Sequence, residues 1–145
     1  MKTFIDNAGR TWTVAINVDA IKRVRDLASV NLLEVIEGKL LDRLISDPIL
    51  LCDVIYAVCK PEADIRHVGD VDFGRAMGGD AIDGATTALL EELVDFFPQA
   101  RRRVLGKALD KLRKLEAAAL TAVETRLDSP ELEKRLATEL ANLQA

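Results

Sequence analysis

From Asp80 to Phe97 the residues Ile82, Thr86, Leu89, Leu90, Leu93, Val94 and Phe97 recur at spacings of three and four. On an α-helix that period gathers them into one stripe, and such a stripe needs another surface to pack against. The same signal recurs along the chain. Asp19 is the predicted N-cap of a short helix carrying Ile21, Val24, Leu27 and Ala28. Asn31 is predicted to open a second, with Leu32, Leu33, Val35, Ile36, Leu40, Leu41, Leu44 and Ile45, which Gly38 weakens without ending. Ser46-Asp47-Pro48 is a stop and a restart, because Asp caps and proline is tolerated at the first helical position. The helix from Pro48 to Cys59 is apolar on most of its surface, so Leu50, Leu51, Val54, Ile55 and Val58 are the expected centre of the core, and Lys60-Pro61 is predicted to end it. Asp70 is expected to cap a short turn bearing Val71, Phe73 and Met77, and Asp80 to cap the 82–97 helix after the Gly78-Gly79 break.

Aromatic residues are only 4% of the chain, so the core must come from Leu, Val, Ile and Ala, a mix that suits packed helices better than sheets. The exception is at the start. Thr3-Phe4-Ile5 and Thr11-Trp12-Thr13-Val14-Ala15-Ile16 are β-prone and flank the turn-forming Asp6-Asn7-Ala8-Gly9-Arg10, which predicts a hairpin over about 3–16. Two strands alone are marginal, so this hairpin must pack on helices or pair with another chain's sheet edge.

Beyond Pro98 the texture changes. Arg101-Arg102-Arg103 precedes Leu105, Leu109, Leu112, Leu115, Ala119 and Val123, a long helix reaching about Leu127. Asp128-Ser129-Pro130-Glu131 restarts a last helix, with Asp128 and Glu131 at capping-box spacing and a narrow stripe of Leu132, Leu136, Leu140 and Leu143. The expected architecture is therefore mainly α: a helical bundle with a short N-terminal β-hairpin and an extended C-terminal helical segment. The expected division is a core domain of residues 1–97 and a helical segment of residues 98–145, packed on the core or on a partner.

Charge follows the same division. Residues 1–97 hold 10 Lys/Arg and 17 Asp/Glu, while residues 98–145 hold 10 and 7, within an overall net charge of −4. The field of the whole chain will not draw it to nucleic acid or anionic lipid. The stretch 101–114 has seven basic residues and one acidic, but without interleaved aromatics it reads as a solvent-facing helix side or a contact for an acidic partner before it reads as a nucleic-acid site. No stretch approaches the ~20 apolar residues that span a bilayer, and Met1–Asp6 has no apolar signal core, so neither membrane insertion nor secretion is expected.

The residues that carry chemistry are sparse. His67 is the single histidine and sits in a polar, Pro/Gly-flanked segment, which reads as a solvated loop. Cys52 and Cys59 lie about two helical turns or ~10 Å apart, too far to bridge, and read as buried thiols in a reducing compartment. With one histidine they fall short of a structural zinc site. Gly74–Gly79 imitates a phosphate loop, but Asp80 stands where a lysine is needed, so the glycines read as a hinge. The pairs Asp70/Asp72 and Glu91/Glu92 read as caps and solvated helix faces. No cofactor or catalytic residue is expected. The candidate partner-binding residues are Arg101, Arg102, Arg103, Leu132, Leu136, Leu140 and Leu143, serving a protein partner or self-association into a homo-oligomer.

The order of features over residues 1–105 resembles a family. It comprises a hairpin with Trp12, then Ile21-Lys22-Arg23-Val24-Arg25, Leu32-Leu33, Ser46-Asp47-Pro48, Asp53-Val54-Ile55-Tyr56-Ala57 and Asp72-Phe73. Gly79-Asp80-Ala81-Ile82, Ala85-Thr86, Leu89-Leu90-Glu91-Glu92-Leu93-Val94-Asp95-Phe96-Phe97-Pro98 and Arg101-Arg102 follow. Together they resemble small tail-module proteins of tailed bacteriophages and prophages, similar to tail assembly chaperones. The resemblance implies a largely helical, non-enzymatic protein of the host cytoplasm that binds the tape measure protein and helps recruit tail tube subunits. Two other expectations stand beside it: a structural head–tail connector or tail-completion protein of the virion, and a nucleic-acid-binding regulator resting on the 101–114 stretch alone.

Overall fold

The structure, a computed structural model, describes residues 1–37 and 39–144. It is mainly α with one two-stranded antiparallel hairpin, and it divides into two compact units, Met1–Leu109 and Asp110–Ala145. The first unit opens with β1 (Lys2–Ile5) and β2 (Thr11–Val14), paired so that Phe4 faces Trp12 and Thr3 faces Thr13. Alternation puts Phe4, Trp12 and Val14 on one buried face. The Asp6–Arg10 turn closes with Gly9 at φ +81, a left-handed conformation that glycine adopts without penalty.

Helix α1 (Val18–Ala28) is capped by Asn17, whose side chain accepts from the Ala20 amide at 2.9 Å. Asp19, the expected cap, lies in the first turn and pairs with Arg23 at 2.6 Å. The helix expected from Asn31 is a 3₁₀ segment at Leu32–Glu37 followed by α2 (Lys39–Ser46). Gly38, which the sequence reading lets the helix run through, lies outside the described residues. Next comes α3 (Pro48–Ile65), with Asp47 accepting from the Ile49 and Leu50 amides as its cap. Helix α3 buries Leu51, Val54, Ile55, Ala57, Val58, Cys59 and Ala63 and packs against α1, α2 and β2, as expected of the central helix.

Helix α3 does not stop at Lys60-Pro61; it continues to Ile65 with Pro61 inside. A proline there has no N–H to give the Ala57 carbonyl four residues back. Arg23 supplies the missing donor: its Nη1 lies 3.1 Å from the Ala57 oxygen and 2.8 Å from that of Val58. The helix ends in a Schellman motif. Val68 N–H donates to the Ala63 carbonyl at 2.9 Å and His67 N–H to that of Asp64 at 3.3 Å, with His67 in the left-handed position at φ +56.

Helix α4 (Asp70–Arg75) and helix α5 (Asp80–Phe96) begin after Gly69 and Gly79, so Asp70 and Asp80 are first-turn residues and not caps. Helix α5 buries Ala81, Ala85, Ala88, Leu89, Leu90 and Leu93, while Ile82 and Thr86 are half-buried. Small residues on this face let β1 lie close: a Cβ at Gly84 would meet Phe4 Cβ at 3.5 Å. Helix α6 (Gln99–Leu127) starts after Pro98, and its Leu105 and Leu109 are buried. The sequence reading divides the chain after residue 97, but the first unit extends through Leu109 because these two leucines belong to its core.

The second unit holds the rest of α6 and α7 (Pro130–Gln144), capped by Ser129, whose Oγ accepts from the Leu132 amide at 3.2 Å, in place of the expected Asp128. None of its described side chains is buried. Of the long-helix stripe, Leu105 and Leu109 are buried, Leu112 is half-buried and Leu115 is exposed; on α7 Leu132 is half-buried and Leu136, Leu140 and Leu143 are exposed.

Candidate functional site

In the first unit the hairpin turn forms a dense polar and aromatic node. The Asp6 side chain is fully enclosed and accepts four hydrogen bonds: from the Ala8 and Arg10 amides at 2.9 and 3.0 Å, Arg10 Nε at 2.8 Å and Trp12 Nε1 at 2.8 Å. Burial pushes its pKa up, but the Trp12 and Arg10 hydrogen bonds and the Arg10 charge outweigh it and hold the carboxyl below its ordinary value. Arg10 reaches on to Asp72 at 3.1 Å, tying the hairpin to α4. Trp12 meets Phe73 edge-on with ring centres 5.3 Å apart, and the Arg66 guanidinium lies 5.0 Å over its ring. A carboxylate with its acceptor positions filled this way holds the hairpin in place and is poorly disposed to take a proton from a substrate.

Beside this node lies an open cleft of about 320 Å³, lined by Ile49, Cys52, Phe73 and Met77, with the carboxylates of Asp53 and Asp70. Desolvation, with Asp53 adding, raises the Cys52 pKa. Cys59 is buried, and desolvation pushes its thiol up to about 12. Both sulfurs are therefore protonated, poor nucleophiles at neutral pH. His67 is exposed, and its backbone role is to turn the chain after α3. Among the described residues no three His, Cys, Asp or Glu side chains converge as metal ligands, and no helix is long and apolar enough to cross a membrane.

The three arginines of the candidate surface have separate roles. Arg102 folds back to donate to the carbonyls of Asp95 and Phe97, both at 3.2 Å, so it satisfies the end of α5. Arg101 and Arg103 are exposed. In the second unit Leu132 is half-buried, and Leu136, Leu140 and Leu143 are 50%, 59% and 83% exposed. On α6 the stripe expected from the sequence includes Leu115 and Val123 but not Leu120 and Leu127, and all four are more than half exposed. The signal was available: their helical spacing is plain, and what the sequence did not display was that no stripe of this unit answers it. The second unit thus presents two leucine-rich helical faces with no cover of their own, rimmed by Lys, Arg and Glu. Faces of this kind bind amphipathic or apolar helices.

Comparison with known proteins yields no matching family model, no matching curated protein and no matching solved structure.

Proposed function

We propose that the chain is a non-catalytic, protein-binding protein: a tail assembly chaperone of a tailed bacteriophage or prophage, working in the cytoplasm of the bacterial host. In this reading it binds the tape measure protein, keeps the long apolar helices of that client soluble, and helps recruit tail tube subunits. The observation that supports it best is the stripe on α7 that runs from half-buried Leu132 to the exposed Leu136, Leu140 and Leu143. Fully burying one such side chain is worth about 1.5–3 kcal/mol. A client helix laid along the stripe covers several at once, while the polar remainder of α7 keeps the empty face soluble. Exposed Arg101 and Arg103 add an electrostatic contact for an acidic flank of a partner. Protonated thiols and a hydrogen-bond-saturated Asp6 favour binding over catalysis.

The test is coexpression of the tape measure protein from the same genome with the full chain and with its Leu136→Lys/Leu140→Lys variant. Both positions are exposed, so circular dichroism should show an unchanged fold. The parent chain is expected to keep its client soluble and the variant to lose it. Equal solubilisation by both would move the binding surface off α7, and failure by both would end the chaperone reading.

A further inference from the structure

The leucine face of α6 poses a separate problem from that of α7. At 100° per residue, Leu112, Glu116, Ala119, Leu120, Val123 and Leu127 fall within a band about 100° wide, which is the same band that holds Leu105 and Leu109. Within the second unit that band is half-buried at Leu112 and exposed from Glu116 through Leu127. We propose that residues 112–127 of α6 pair antiparallel with the same segment of a second copy of this chain.

Three features select that occupant and that direction. First, the stripe is self-complementary about a centre between Ala119 and Leu120: Leu112 then lies opposite Leu127 of the second copy, Glu116 opposite Val123, and Ala119 opposite Leu120. A small residue against a large one at the centre lets the two helices approach closely. Second, Arg113 and Glu124 share one flank of the stripe, only about 20° apart around the helix, yet about 16 Å apart along it, too far to meet within one chain. Both are exposed. In the antiparallel pair Arg113 of each copy lies beside Glu124 of the other, so two complementary contacts form by symmetry. Third, Glu116 is the one charged residue within the stripe from 112 to 127. A parallel, in-register pair would press Glu116 against Glu116 and put the Arg113/Glu124 flanks of the two copies on opposite sides of the seam, whereas the antiparallel pair separates the Glu116 side chains and brings those flanks together. A polar residue in such a seam selects register and direction at some cost in stability.

This inference uses residues 112–127, a segment outside the client surface, and does not depend on it. The test is sedimentation of the purified full chain from low to high micromolar concentration, with circular dichroism of each variant as the control for folding. The parent is expected to form a dimer. Val123→Asp should leave it monomeric. Arg113→Glu and Glu124→Arg should each weaken dimerisation about tenfold, since two attractive contacts become repulsive, and combining them should restore it. Glu116→Leu should tighten association. A chain that is monomeric throughout, a dimer indifferent to Val123→Asp, or charge swaps that do not rescue one another would each overturn the proposal. If the chain alone is monomeric but forms a complex with a helical client, this inference falls and the chaperone reading stands; a dimer that fails to solubilise the client gives the reverse.

Discussion

Pro61 and Arg23 show how a residue can be tolerated against its own rule. Proline in the interior of α3 orphans the Ala57 carbonyl, and Arg23, itself held by Asp19, donates to that oxygen and to Val58. Replacing Arg23 with Met keeps the apolar stem and removes the donor, so it should cost about 1–3 kcal/mol in urea unfolding. In the Pro61→Ala background the helix regains its own N–H, and the same replacement should cost measurably less; equal costs would mean that Arg23 acts through packing alone. Asp6 contributes to the acid limb of stability. Its folded pKa lies below the unfolded value of about 3.9, so between the two the unfolded state binds more protons and stability rises with pH. That contribution is complete above the unfolded value and is lost as pH falls through the folded one. Asp6→Asn should therefore lower stability at neutral pH and flatten the fall between about pH 5 and pH 2, read from urea midpoints at each pH.

Among the elements, α3 and α5 each bury seven residues in the first unit. Leu51 and Val54 are enclosed, and Leu51→Ala should cost about 2–5 kcal/mol; a loss below about 0.5 kcal/mol would misplace the core. Helix α7 is the opposite case. None of its described residues is fully buried, so its amides depend chiefly on helix propensity, one proline-started turn and the Ser129 cap. Hydrogen exchange by mass spectrometry should find peptides of residues 130–144 exchanging far faster than those of α3. Cys59, on α3, should resist alkylation in the native state until the unit opens, because its thiol is buried and titrates near 12.

For the molecule as a whole, the division at Leu109 predicts unequal responses to equal changes along one helix. Leu105→Ala removes a side chain that is 2% exposed and should cost about 2–5 kcal/mol, whereas Leu120→Ala, at 60% exposure, should stay within about 0.5 kcal/mol when measured at low protein concentration. Comparable losses at both sites would place Leu120 in the same core. The charge division expected after residue 97 and the packing division after Leu109 differ because charge follows the surface while the unit boundary follows buried leucines.

Much of this was legible before the structure. The hairpin, the central helix starting at Pro48, the helix ending near Pro98 and the restart at Pro130 all follow from local rules: apolar period, turn chemistry and the fixed φ of proline. What failed was either a cap displaced by one or two residues, as at Asn17 and Ser129, or a side chain whose partner no spacing rule names. The reach of α3 past Pro61 depends on a guanidinium from α1, far away in sequence, whereas Arg102 turns back to carbonyls at the end of α5 and Asp6 to donors within its own hairpin. The leucine period determined that residues 105–143 would be helical and apolar on one side. Only the tertiary structure decided where along that period the cover stops, because a stripe specifies that a face needs burial but not whether its own chain has a surface left to bury it.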